Sequence, residues 1–231
     1  MPHRSALALA LAFAILLCPL PPAALAQDIA DILPFTARGN EPFWSLTITT
    51  EGSSYTDMEG ITLDAPFTPA TAADGSLLFT TAAGPLRLSD TLCHDSMSGM
   101  PYPFTVTLTR DGADLPGCAG DPARLLAGDW TVTALDGTAL PKGADVTMTF
   151  DAGRIAGLAA CNRYSGNFTL NGEGLAFGPM AGTRMACPPP LMETEAAVFA
   201  AFARVTRFDI TADGSLLLKV DETTPLFTAT R

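Results

Sequence analysis

The sequence predicts a mainly β protein of α+β class, with two small antiparallel β-sheet or open-barrel domains, the second carrying one α-helix packed across its sheet. Three observations lead there. Apolar and polar residues alternate over short runs such as Phe104-Thr105-Val106-Thr107-Leu108, the pattern of strands with one buried and one wet face. The runs stop at Asp111-Gly112, Asp136-Gly137 and Asn171-Gly172, dipeptides that mark hairpin turns. One segment, Leu191 to Val205, lacks glycine and proline and places Leu191, Met192, Val198, Phe199, Phe202 and Val205 near helical spacing.

The chain opens with Arg4, an apolar run of 12 residues from Ala6 to Leu17, three prolines at 19, 21 and 22, and Ala24-Leu25-Ala26. That order is a secretory signal pattern, with cleavage near Ala26 and a mature chain from Gln27. The run falls short of the ~20 apolar residues that a membrane span needs. The rival reading, a retained anchor, conflicts with the prolines. Cys18 would be a lipidation site only after a small residue, and Leu17 precedes it; it is read as a passive part of the leader.

Strands are read at Phe43–Ile48, Leu77–Phe79, Leu86–Leu88 and Phe104–Leu108 in a first domain spanning 27–121. In a second domain, 122–231, they are read at Trp130–Leu135, Val146–Phe150, Phe168–Leu170, Leu216–Leu218 and Leu226–Thr230. The boundary falls near Gly120-Asp121-Pro122. Glu193 and Glu195 are placed in the early turns of the helix and Arg204 and Arg207 near its end, as the helix dipole favours. Phe199 and Phe202 are expected on its buried stripe; Glu193 and Glu195 are expected to tolerate change.

Four cysteines remain after the leader: Cys93, Cys118, Cys161 and Cys187. An even count in an exported chain suggests disulfides, in one of three pairings. Their spacings and their segregation into separate halves favour Cys93–Cys118 and Cys161–Cys187. Loss of the leader removes one arginine and leaves 12 basic residues against 24 acidic, a net charge of −12. Such a surface repels nucleic acid and anionic headgroups and suits solubility and cationic partners.

For catalysis, His94 is the one histidine outside the leader, so any Ser-His-Asp or Cys-His chemistry must use it. The usual metalloprotease, nucleophile-elbow and phosphate-loop motifs are missing, and no cofactor is implied. Three smaller groups invite chemistry. His94, Met97 and Met100 are soft or borderline donors that suit copper; the plainer reading has the methionines filling the gap beneath a loop. Asn162, Arg163 and Arg184 lie beside cysteines expected to be bonded, so they form a candidate anion site; the alternative pairs the arginines with this chain's own acids. Phe43, Trp44 and Trp130 are read as core.

The C-terminal half resembles the META/HslJ-like family. The matching residues are Gly128-Asp129-Trp130, Ile155-Ala156-Gly157, Cys161-Asn162, Ser165-Gly166-Asn167-Phe168 and Thr183-Arg184-Met185-Ala186-Cys187. Residues 35 to 120 resemble an uncharacterised envelope domain that accompanies META domains, through Gly39-Asn40-Glu41-Pro42-Phe43-Trp44, Cys93-His94-Asp95-Ser96-Met97-Ser98-Gly99 with Tyr102-Pro103, and Gly117-Cys118. The resemblance implies a small sheet or open barrel crossed by a helix, in exported or lipid-anchored proteins associated with heat shock and drug tolerance; it carries over no catalytic site. Together these readings describe a non-enzymatic periplasmic or secreted protein, a binding or scaffold module in envelope maintenance. Its partner would be a protein or small molecule of the envelope. The alternatives are a copper binder or sensor, and a secreted inhibitor of a cationic enzyme.

Overall fold

The computed structural model describes residues 29–172 and 174–231; the leader expected at residues 1–26, its expected cleavage point and Cys18 lie outside them. Among the described residues no helix is long and apolar enough to cross a membrane. The first half forms β1 (Phe35–Asn40), β2 (Phe43–Ile48), β3 (Ser53–Asp57), β4 (Thr62–Ala65), β5 (Thr68–Thr71), β6 (Leu77–Thr81), β7 (Gly84–Ser89), β8 (Cys93–His94), β9 (Pro101–Tyr102), β10 (Phe104–Arg110) and β11 (Ala113–Ala119). All but β8 and β9 join one nine-stranded sheet in the order β4-β3-β2-β1-β11-β10-β7-β6-β5. Laid flat, its edge strands would stand ~38 Å apart. Only Pro66 and Phe67 connect those edges, and so short a link spans at most ~11 Å. The sheet must therefore curl, and it wraps Phe35, Leu46, Ile48, Phe79, Leu86 and Leu108 inside.

The alternation in the sequence becomes the two faces of this sheet. In β10, Phe104, Val106 and Leu108 are buried while Thr105 and Thr107 are not. Asp111 and Gly112 turn with φ of 52° and 81°, as the two-residue hairpin requires. Trp44 is 1% exposed because two glycines make room for it. A Cβ on Gly39 would sit 2.3 Å from the indole Nε1, and one on Gly117 would sit 2.2 Å from the Arg38 carbonyl oxygen and 2.9 Å from the ring. Phe43 departs from its reading as core: it is 42% exposed, since it points opposite to Trp44 on the same strand.

A short helix, α1 (Ala123–Leu126), separates the sheets. The second half forms β12 (Gly128–Leu135), β13 (Thr138–Ala139), β14 (Thr147–Asp151), β15 (Arg154–Ala159), β16 (Asn162–Asn171), β17 (Gly174–Phe177), β18 (Ala181–Gly182), helix α2 (Pro189–Phe202), β19 (Arg207–Ile210), β20 (Leu216–Lys219) and β21 (Pro225–Thr230). The main path runs β17-β16-β15-β14-β12-β21-β20-β19, with β13 beside β12 and β18 beside β16. Its two ends meet: the Leu175 N–H donates to the Thr206 carbonyl at 2.8 Å. The result is a nearly closed barrel, which removes most of the exposed sheet edge.

Helix α2 seals that barrel. Phe202 stacks on Phe227 with ring centroids 4.7 Å apart and meets Phe177 at 5.0 Å and Tyr164 at 5.4 Å. The helix begins two residues earlier than the sequence suggests, because prolines at its first turn need no N–H partner. Its buried residues are Thr194, Val198, Ala201 and Phe202, with Met192 38% exposed and Phe199 only partly covered. The expected stripe is thus rotated. The expected dipole pattern is also absent: the first turn holds no acid and the last no base. Arg204 lies beyond the helix and pairs with Asp136 at 3.2 Å, and Arg207 is in β19.

Candidate functional site at the junction of the two sheets

Both disulfides read from the spacing are present, Cys93–Cys118 and Cys161–Cys187. The first ties the β8–β9 ribbon to β11. The loop between β8 and β9 folds around Asp95. One carboxylate oxygen accepts the Ser98 N–H and hydroxyl, both at 2.8 Å, and the Met97 N–H at 3.1 Å. The other accepts the Asn40 side-chain amide at 2.8 Å, and that amide also donates to the Ser96 hydroxyl at 2.9 Å. Burial opposes ionisation of Asp95, but the donors from Ser98, Asn40 and Met97 outweigh it and hold the carboxyl below the usual range. Two segments far apart in sequence, around Asn40 and Asp95, are thereby one unit.

This loop reaches the second sheet. His94 Nε2 lies 2.8 Å from Asp209 Oδ1, and Lys219 Nζ lies 3.6 Å from the other oxygen of Asp209. Arg207 donates to the Ser98 carbonyl at 3.2 Å and pairs with Glu222 at 3.5 Å. Met100, Tyr102 and Cys118, all from the first half, are packed with the second core. The halves therefore share apolar surface as well as polar bonds.

The proposed copper donors do not converge. Met100 is 4% exposed and belongs to that shared core, whereas Met97 is 81% exposed. His94 is directed at Asp209. The packing role for Met100 holds; Met97 fills nothing.

The Asn162, Arg163 and Arg184 group resolves differently. Asn162 is 1% exposed and binds a carboxylate, that of Glu195. Its backbone N–H donates to Oε2 at 2.9 Å and its amide to Oε1 at 3.3 Å. The amide oxygen accepts the Thr183 hydroxyl and the Met185 N–H. Arg163 and Arg184 are exposed, and neither pairs with an acid among the described residues. Glu195, expected from the sequence to tolerate change, is instead the anchor of α2 to the Cys161–Asn162 turn.

A cleft of about 460 Å³ opens where the two sheets meet. Its floor is the outer face of β1 and β2, with Thr36, Arg38 and Thr47; Tyr102, Asp121 and Leu170 are among its walls. Thr36 and Thr47 share a hydroxyl bond at 3.1 Å. The Arg38 guanidinium lies 5.9 Å from the Tyr102 ring centre. Burial pushes the Tyr102 hydroxyl up, and the nearby Arg38 charge works against that rise. Arg38 also borders a smaller pocket of about 190 Å³ beside His94 and Asp95. None of the cleft residues was singled out from the sequence as a site. Their alternating positions in β1 look like any outward strand face.

Comparison with known proteins assigns the second half. The META domain model matches residues 123–231. No curated protein matches. A protein from Burkholderia xenovorans solved by NMR is 29% identical over 47% of this chain and 85% of its own, with a TM-score of 0.41. A second NMR structure is 25% identical over 48% of this chain and 93% of its own, with a TM-score of 0.38. The C-terminal half of the chain, from α1 to the last strand, is a META domain.

Proposed function

We propose that this chain is a non-enzymatic binding protein of the bacterial envelope, exported by residues 1–26 and acting in envelope maintenance or stress tolerance. The observation that carries the reading is the cleft between the sheets. Its volume, about 460 Å³, lies within the range of small-ligand sites, roughly 300–1,000 Å³. Two disulfides support an oxidising compartment, since such bonds are rare in the cytosol. The non-catalytic part of the reading rests on the sequence, in which His94 is the one histidine outside the leader and the usual nucleophile, metalloprotease and phosphate-loop motifs are missing.

Expression of the full chain in a bacterial host tests this. The expected product is periplasmic, begins at Gln27 and has no free thiol. A reduced cytoplasmic product contradicts the envelope reading. A hydrolytic or redox turnover that His94→Ala abolishes contradicts the non-enzymatic one.

A further inference from the structure

We infer that the cleft between the sheets binds a small zwitterion, an amino carboxylate with an apolar side chain; this rests on reading the protein as a binding module and names the ligand class. Two opposite charges, Arg38 and Asp121, line the same cleft. Neither forms an ion pair with the other or with any other described residue. This stands out for Arg38, which is partly buried in a chain with 24 acids and 13 bases. Arg87, Arg110, Arg204 and Arg207 each hold a carboxylate. The Arg38 side chain makes no hydrogen bond to a described residue; its guanidinium lies over the Tyr102 ring, 5.9 Å from its centre.

A guanidinium fork matches a carboxylate in geometry and charge. One Asp121 oxygen accepts the Ala123 N–H at 2.9 Å; its other oxygen is available to an ammonium group. A purely anionic ligand would meet Arg38 but be repelled by Asp121, and a purely cationic one the reverse. A molecule with both charges satisfies both walls. The same cleft is lined by the hydroxyls of Thr36 and Thr47, and Leu170 and Pro122 offer apolar surface to a side chain.

Titration of the oxidised, leader-free chain followed by two-dimensional NMR separates the terms, with three probes of one shape. L-phenylalanine carries both charges, 3-phenylpropanoate lacks the ammonium, and 2-phenylethylamine lacks the carboxylate. The expected result is that L-phenylalanine shifts resonances of Thr36, Arg38, Thr47 and Leu170, and that each single-charge probe binds roughly tenfold more weakly. Arg38→Gln should erase the preference for L-phenylalanine over 2-phenylethylamine, and Asp121→Asn its preference over 3-phenylpropanoate. Asparagine retains the oxygen that accepts the Ala123 N–H, so Asp121→Asn should fold even if Arg38→Gln does not. Equal binding of all three probes, unchanged by either substitution, overturns the zwitterion while leaving a binding cleft. No cleft shift with any probe at saturating concentration overturns this site, and leaves the broader binding reading to be judged elsewhere on the surface.

Discussion

Half-buried Glu195 holds buried Asn162: its two carboxylate oxygens accept the backbone N–H at 2.9 Å and the side-chain amide at 3.3 Å. Asn162 is 1% exposed, so no water readily replaces Glu195. Truncation leaves a buried N–H and part of an amide without acceptors, which costs about 1–3 kcal/mol. Glu195→Ala should therefore lower the urea midpoint of unfolding clearly, and Glu195→Gln by less, because one acceptor oxygen survives. Midpoints equal to the parent for both would show that this bond does not anchor α2.

Phe202 and Phe199 should separate in the same assay. Phe202 is 2% exposed and touches three other rings. Phe202→Ala should cost about 3–5 kcal/mol, a large share of the ~5–15 kcal/mol that stabilises a domain. Phe199 is partly covered, with an edge contact to Tyr164 at 5.9 Å. Its truncation should cost roughly half as much, in proportion to the area it buries. The reverse order would mean that the helix presents its other face.

Asp95 makes stability depend on acid. Its carboxyl is held below the ordinary value in the folded chain, so its contribution is fully present above the unfolded pKa of about 3.9 and is lost as pH falls through the folded value. Exposed Asp74, Asp213 and Asp221 shift in the same direction, so the parent alone does not isolate Asp95. Asp95→Asn should be less stable than the parent at neutral pH, and the gap should narrow below pH ~4. A gap constant from pH 7 to pH 3 would remove Asp95 from the account.

Local features were legible in the sequence; relations between distant segments were not. Asp111-Gly112 marks its turn because only a few residue types accept φ > 0, and the cysteines pair within halves as their spacing suggests. Strand β11 escapes notice because Pro116 and Gly117 interrupt its pattern, yet glycine at 117 is what the Trp44 ring needs. The helix is legible in the sequence but its buried face is not: two of its buried residues, Thr194 and Ala201, are not strongly apolar. Periodicity alone therefore placed Phe199 and Met192 inside. Glu195 resembles any exposed helical acid until Asn162 is brought beside it. The Asp95 turn has a local signal, Asp followed by Ser three positions later, whereas Asn40, Arg207 and Asp209 join it only through the tertiary fold.

His94 should matter for the junction more than for either sheet. Removing its ring breaks the 2.8 Å contact with Asp209 but leaves Met100 and Tyr102 in the second core. His94→Ala should speed amide exchange in β8, β9 and β19 while the central strands β10 and β14 keep their protection. Uniformly unchanged exchange would reduce His94–Asp209 to a surface contact of little energy.

The halves form one coupled body through the β8–β9 loop. Each sheet contains one of the two tryptophans, Trp44 in the first and Trp130 in the second. Labelling with 5-fluorotryptophan gives one ¹⁹F resonance for each, without a substitution. Urea titration of the oxidised chain, followed by both resonances, then reports each half in the same sample. Because Met100, Tyr102 and Cys118 serve the second core, both signals should lose their folded intensity at one midpoint, and Phe202→Ala should lower that midpoint for Trp44 as well as Trp130. Two separate transitions, with the Trp44 midpoint unmoved by Phe202→Ala, would contradict the coupling and return the chain to two independent domains.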